Sequence, residues 1–242
     1  MTAGRQQLVG LMLSASILGC WLLLHIFAVF FLRLNGAEWI VAPLLIAVIC
    51  WLNVGMFIVA HDAMHGSLAP GRPALNRAIG RTALLLYAGF WYDSLLPEHM
   101  EHHRSPGTKS DPDFSVTHPT RFWPWYLGFF LHYFRWRQLA VLTAMVAVYL
   151  LLGASYPNLL LFWALPAILS SLQLFYFGTY LPHRHETSAF ADDHRARTSN
   201  FGWIASLLSC FHFGYHHEHH LNPHLPWWRL PEARRQTRSP VR

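Results

Sequence analysis

Charge is scarce in this chain. Of its 242 residues only 12% are Asp, Glu, Lys or Arg, while 53% are hydrophobic. Soluble domains carry about 25% charged residues. A disordered chain needs the opposite balance and is excluded. Cysteine is scarce too: Cys20, Cys50 and Cys210 all sit in apolar runs, so they read as small buried hydrophobes, and no disulfide framework is available. Glycine has no period, which excludes a collagenous chain, and no repeat or low-complexity tract is present. The net charge of +6 is not gathered into one dense stripe. The basic residues flank apolar runs instead, which favours an anionic membrane surface and speaks against nucleic acid.

Long apolar runs are what the chain has in place of charge. Residues 8–32 contain no Asp, Glu, Lys or Arg. A hydrocarbon core of about 30 Å needs about 20 helical residues, whereas a signal-peptide core has about 7–15, so this run is read as a span. Residues 39–60, 138–152 and 159–181 form three further spans. The last two are joined by a short uncharged turn and form a helical hairpin. Residues 82–96 are apolar and aromatic but short, and are expected to form an interfacial or re-entrant helix. With four spans, residues 1–7, 61–137 and 182–242 share one side and hold 17 of the 18 basic residues. Lys and Arg accumulate on the cytoplasmic side. Both termini and the long loops are therefore expected in the cytoplasm, with the chain in the inner membrane. The fold expected is an all-α membrane protein of one domain, residues 1–242. It has four transmembrane helices, interfacial helices, a cytoplasmic histidine-rich cap, and a flexible basic tail from about residue 232.

The 17 histidines are not scattered. His61 and His65 follow the second span at i, i+4. His99, His102 and His103 repeat the pattern H-x-x-H-H, as do His216, His219 and His220. On a helix, positions i, i+3 and i+4 lie on one side, so each box is able to present its imidazoles to one centre. His25, His118 and His132 stand alone and read as ordinary polar residues near an interface. Ionisable groups clustered at a membrane face imply function. Eight or more imidazoles exceed the four ligands of one tetrahedral zinc site, so two metals fit the count; imidazole suits Zn, Cu, Fe or Ni and does not choose among them. The H-E-x-x-H protease motif fails, because Leu221 stands where its second His is required. A carboxylate-bridged bundle site needs repeated Glu-x-x-His pairs, and the stretch 98–102 offers one incomplete match.

Three boxes of this form on four spans resemble the integral-membrane fatty-acid desaturase and hydroxylase superfamily. The stretches HDAMHGSL (61–68), HHRSPGTKSDPDF (102–114), FGTYLPHR (177–184) and CFHFGYHHEHHLNPHLPWWRLP (210–231) are similar to the bacterial-type β-carotene ketolases. The resemblance runs from about residue 53 to 231, and its C-terminal motif is far more specific than the boxes. It implies a di-iron oxygenase that uses O2 and electrons from a ferredoxin-type donor to convert C4 of a β-ionone ring to a ketone. Two hydroxylations and loss of water achieve this. The substrate it implies is β-carotene, with hydroxylated carotenoids as further candidates, taken from the bilayer. The resemblance further implies iron ligation by His61, His65, His99, His102, His103, His216, His219 and His220, with His183 as ninth ligand ahead of His185 and His212; His217 is a spare. Asp62 and Asp113, more than Asp111, are expected to fix imidazole tautomers as catalytic-site carboxylates. Gly66 and Gly107 are expected to end helices. Ser105 and Asn222 stand where many relatives have His, and are not expected to be ligands. Phe90, Trp91, Tyr92, Phe175, Tyr176 and Phe177 are candidates for a substrate tunnel. A carotenoid ring hydroxylase or a fatty-acyl desaturase would use the same iron site. A metal transporter would place its ligands inside the spans, which are nearly free of them here.

Overall fold

The computed structural model describes residues 1–186 and 188–238, and among them there is no β-strand. Three helices are long and apolar enough to cross a membrane: α1 (Ala3–Phe31), α2 (Glu38–Met64) and α7 (Tyr156–His183). The helix at 138–152, expected as a span of its own, is the second arm of a bent pair. α5 (Phe122–Tyr133) and α6 (Trp136–Leu151) meet at 76° and make a fourth crossing only if taken together. Between α2 and α5 lie α3 (Pro73–Ala88) and α4 (Tyr92–Arg104). The expected single helix at 82–96 is therefore split, with the chain turning at Gly89 so that α3 and α4 pack on each other. After α7 come α8 (Trp203–Cys210), α9 (His216–Leu221) and α10 (Leu230–Arg238).

α2 is the central element and packs on α1, α3 and α7. Close approach needs small residues. A Cβ on Gly55 would stand 2.6 Å from the ring of Phe211, so glycine there lets the C-terminal segment lie against α2. α7 widens into π-turns at Leu160–Ala164 and Phe175–Tyr180, just ahead of Pro166 and Pro182. Proline cannot donate to the carbonyl four residues back, and the helix accommodates the gap by a wider turn. α1 also ends in a π-turn, and the Asn158 amide donates to the carbonyls of Ala28 and Leu32 at 2.9 and 2.8 Å. Those carbonyls would otherwise lie unsatisfied in an apolar setting.

One end of the bundle collects the histidine boxes. The Gln6 amide near the N-terminus donates to the carbonyls of Ser67 and His224, at 2.8 and 3.4 Å. The first box, the C-terminal motif and the N-terminus thus share a face. Residues 232–238, expected to begin a flexible tail, are helical in α10. Glu218 on α9 receives bonds from Arg234 and Thr237, at 3.1 and 2.9 Å, and that contact orders the segment. Residues 239–242 lie outside the described residues.

Candidate metal centre

The C-terminus of α2 supplies His61 and His65, and Gly66 ends it at a φ of +68°. α4 supplies His99, His102 and His103; α7 ends on His183; α9 supplies His216, His219 and His220. Phe211 and His212 hold left-handed backbone, φ 48° and 63°, to reverse the chain between α8 and α9. Such conformations cost about 1–3 kcal/mol each and persist only where packing enforces them. Here Phe211 stacks on Trp51 at 4.4 Å. The reversal aims α9 back at α2 and α4.

All nine histidines converge, in two groups. Ring nitrogens of His61, His65, His99, His103 and His219 lie within 4.8 Å of one another, and so do those of His102, His183, His216 and His220. The expectation that a box serves one centre is corrected: the second and third boxes split two to one. Each residue advances about 100° around a helix. His99 and His103 are thus about 40° apart, while His102 is offset to the other side of His99. The same rule sends His216 and His220 to one group and His219 to the other. Nε2 atoms face each other at 2.7 Å (His65, His99), 3.0 Å (His103, His219) and 3.1 Å (His216, His220).

Two further observations show that these donor sets fit metals. Nε2 of His61 and of His183 is buried with no hydrogen-bond partner, a costly arrangement unless something accepts the lone pair. And burial disfavours a proton on most of the rings. Burial pushes His99, His216, His219 and His220 well below the usual imidazole value, with neighbouring imidazoles adding to it. For the same reasons His65 falls to about 3 and His103 to about 2. Neutral imidazole is the form that ligates.

The outer contacts differ from the expected ones. His102 Nδ1 donates to Asp111 at 3.0 Å, while Asp113 stands 3.8 Å away. Burial lowers His102, but the Asp111 bond and the two carboxylates outweigh it and raise its pKa. Burial likewise raises Asp111. The His102 bond and the N–H groups of Gly107 and Asp113 reverse that, so Asp111 lies below its ordinary value. Gly107, at a φ of +65°, makes room for its bond to Asp111 at 2.7 Å. Asp111 therefore holds the position expected of Asp113. Asp62 faces both His61 and the C-terminal motif. Its Oδ1 lies 3.5 Å from His61 Nδ1, which has no hydrogen bond, and its Oδ2 accepts the Trp227 N–H at 3.0 Å. It ties the C-terminal motif to α2. His183 Nδ1 donates to the Arg195 carbonyl at 2.8 Å, a partner that no local pattern announces.

Other histidines stay outside both groups. His217 bonds Asp192 at 2.8 Å, His185 packs on Phe114, and His212 stacks on Tyr215 and Trp227. His132 pairs with Glu98, and His25, stacked on Trp21, bonds Tyr149 at 3.0 Å.

A cavity of about 510 Å³ opens on the groups, with His61, His99, His102 and His216 at its floor. Its walls are apolar and aromatic and come from α2, α3, α5, α6 and α7. The lining runs along α7 from Thr179 to Tyr156, roughly 35 Å at 1.5 Å per residue. Of the six expected tunnel residues, Phe90 and Phe175 line it. Trp91 is exposed and Tyr92 packs over Gly80. α5, absent from the sequence reading, supplies Tyr126, Phe129, Phe130 and Tyr133.

Comparisons with known proteins agree with this geometry. A family model described as fatty acid desaturase matches residues 37–145 and 133–240. The β-carotene ketolase of Paracoccus sp. (strain PC1) is 51% identical over 94% of this chain and 93% of that protein. The β-carotene ketolase of Haematococcus lacustris is 38% identical over 93% of this chain and 79% of its own length. The zeaxanthin 4-ketolase of Chlamydomonas reinhardtii is 35% identical over 97% of this chain and 55% of its own length. No solved structure gives a significant match. With the family model spanning both halves and the ketolases matching nearly end to end, the chain belongs to the fatty acid desaturase family, on its β-carotene ketolase branch.

Proposed function

We propose that the chain is a β-carotene 4-ketolase of the inner membrane, with both termini and the metal centre in the cytoplasm. The observation that carries the reading is the meeting of two imidazole groups with the floor of a long apolar cavity. His61, His65, His99, His103 and His219 would hold one iron, and His102, His183, His216 and His220 the other. When bound, the iron pair supplies O2 activation. Each of two hydroxylations at C4 consumes one O2 and two electrons with two protons, and releases one water. The resulting geminal diol loses one further water, formed from its own hydroxyl groups, to give the ketone. The electrons come from a ferredoxin-type donor.

The protein's own part is binding, orientation and exclusion of water. An apolar cavity holds a hydrocarbon rod by contact and burial. Its length suits an elongated polyene, whose ring then abuts the imidazole floor. Asp111 fixes His102 with Nε2 free, and the Arg195 carbonyl does the same for His183. Ketone would accumulate when the chain is expressed in a β-carotene-producing cell, and purified protein would carry two irons. Unchanged β-carotene together with altered fatty acids would overturn the reading in favour of an acyl desaturase. A ring carrying only hydroxyl groups would make it a hydroxylase.

A further inference from the structure

The cavity is built for a hydrocarbon, yet one carboxyl group lines it. Among the described residues that line it, Asp113 is the only Asp or Glu. It is held with care. Its backbone N–H donates to Asp111 at 2.9 Å, its carbonyl accepts Trp125 Nε1 at 2.8 Å, and Tyr133 donates its hydroxyl to Oδ1. Oδ2 is 3.8 Å from His102 Nδ1, which is already bonded to Asp111 at 3.0 Å. Orienting His102 therefore does not require Asp113. Its side chain keeps 16% of its surface accessible, and the space beside it is the cavity.

A carboxyl among aromatic rings is unfavourable unless it makes hydrogen bonds. An unsubstituted β-ionone ring offers it none. The ring offers one as soon as an oxygen has been inserted. We infer that Asp113 is a specificity-determining residue: its carboxyl hydrogen-bonds the hydroxyl formed at C4 and holds that ring at the metal floor for the second oxidation. The inference rests on the ketolase reading and deepens it. It gives a physical reason why one site would oxidise the same carbon twice. The hydrocarbon substrate is held by contact alone, whereas the alcohol gains a directed bond at the position it already occupies. The bond forms in either protonation state, since a carboxylate accepts from the alcohol and a carboxylic acid both donates and accepts. Tyr133 fixes which oxygen is left free.

Two measurements test this. Pigments from cells expressing Asp113→Leu should show the ratio of 4-hydroxylated to ketone rings raised about tenfold over the parent chain, the scale of one lost hydrogen bond to a charged group. Bound iron should be unchanged. Asp113→Asn, which keeps a polar side chain, should fall between, as should Tyr133→Phe; these carry the comparison if Asp113→Leu does not accumulate. The second measurement needs no turnover. Without reductant and O2, the purified parent should bind a carotenoid with 4-hydroxylated rings more tightly than β-carotene, read by quenching of tryptophan fluorescence, since Trp163 lines the cavity. The preference should fall about tenfold in Asp113→Leu. An unchanged alcohol-to-ketone ratio, iron lost in proportion to product, or equal preference in parent and variant would overturn the inference. A parent chain that makes no ring-oxidised pigment would instead overturn the ketolase reading, and the binding comparison would still decide the role of Asp113.

Discussion

His102 is the residue on which two demands meet. Its Nε2 joins the group with His183, His216 and His220, while Nδ1 is committed to Asp111. His102→Ala removes a donor from a buried set that has no spare, and His219→Ala does the same to the other group. Both variants should lose ketone altogether and bind less iron, measured by metal analysis of purified protein. His118→Ala, at a residue that reaches neither group, should leave both values near the parent's. Asp111→Ala should be milder. All ligands remain, but His102 loses the bond that fixes its ring, and iron affinity should drop about 10–100-fold. A chelator competition series reads that shift. At this scale the sequence was informative where chemistry is local. Box spacing marks eight histidines and the family resemblance adds His183, and the structure brings those nine together. It was uninformative where a turn decides. Asp111 and Asp113 are two residues apart in one loop, and only the folded loop shows which of them meets His102.

At the scale of the element, helix ends and breaks carry the tertiary information. Asn158, at the start of α7, satisfies carbonyls at the end of α1. Asn158→Leu keeps the branched shape and leaves those carbonyls unpaired. It should destabilise the protein by about 1–3 kcal/mol, seen as a lower thermal midpoint in detergent with bound iron per folded molecule unchanged. Arg234→Ala acts on α10. Glu218 is buried beside three ligands of α9, and Arg234 supplies its cationic partner. Loss of that partner should cost about 3 kcal/mol, and proteolysis should then release the residues after Leu230 faster than in the parent. Neither contact follows from periodicity. Residues 232–238 hold no apolar run and read as tail; their helix comes from a partner distant in sequence. α5 is apolar but only 12 residues long. It is too short for a span and bends into α6, so hydropathy missed it. The long apolar runs, by contrast, were legible because length and lack of charge suffice.

For the whole molecule, the arrangement amounts to a buried store of neutral bases at one end of a helical bundle. This fixes how stability responds to acid. Six imidazoles outside the spans, those of His65, His99, His103, His216, His219 and His220, titrate below the ordinary value, chiefly because burial disfavours their charge. In the unfolded chain each protonates near pH 6.5. Below that pH the unfolded state takes up protons that the folded state refuses, so stability falls as pH falls. Each group can contribute up to about 1.4 kcal/mol per pH unit in that window. His102 and Asp113, the latter pushed up to about 6 by burial, are raised and have the opposite sign, but they are two groups against six. Iron loading follows the same direction, since ligation also needs neutral rings. The thermal midpoint of metal-free protein in detergent should therefore be level from about pH 8 to 7 and drop steeply between pH 6.5 and 5. In the loaded protein, iron release should begin in the same window. A midpoint that stays level down to pH 5 would mean that the rings are solvated rather than packed around two dry centres, and the donor sets described here would have no neutral lone pairs to offer.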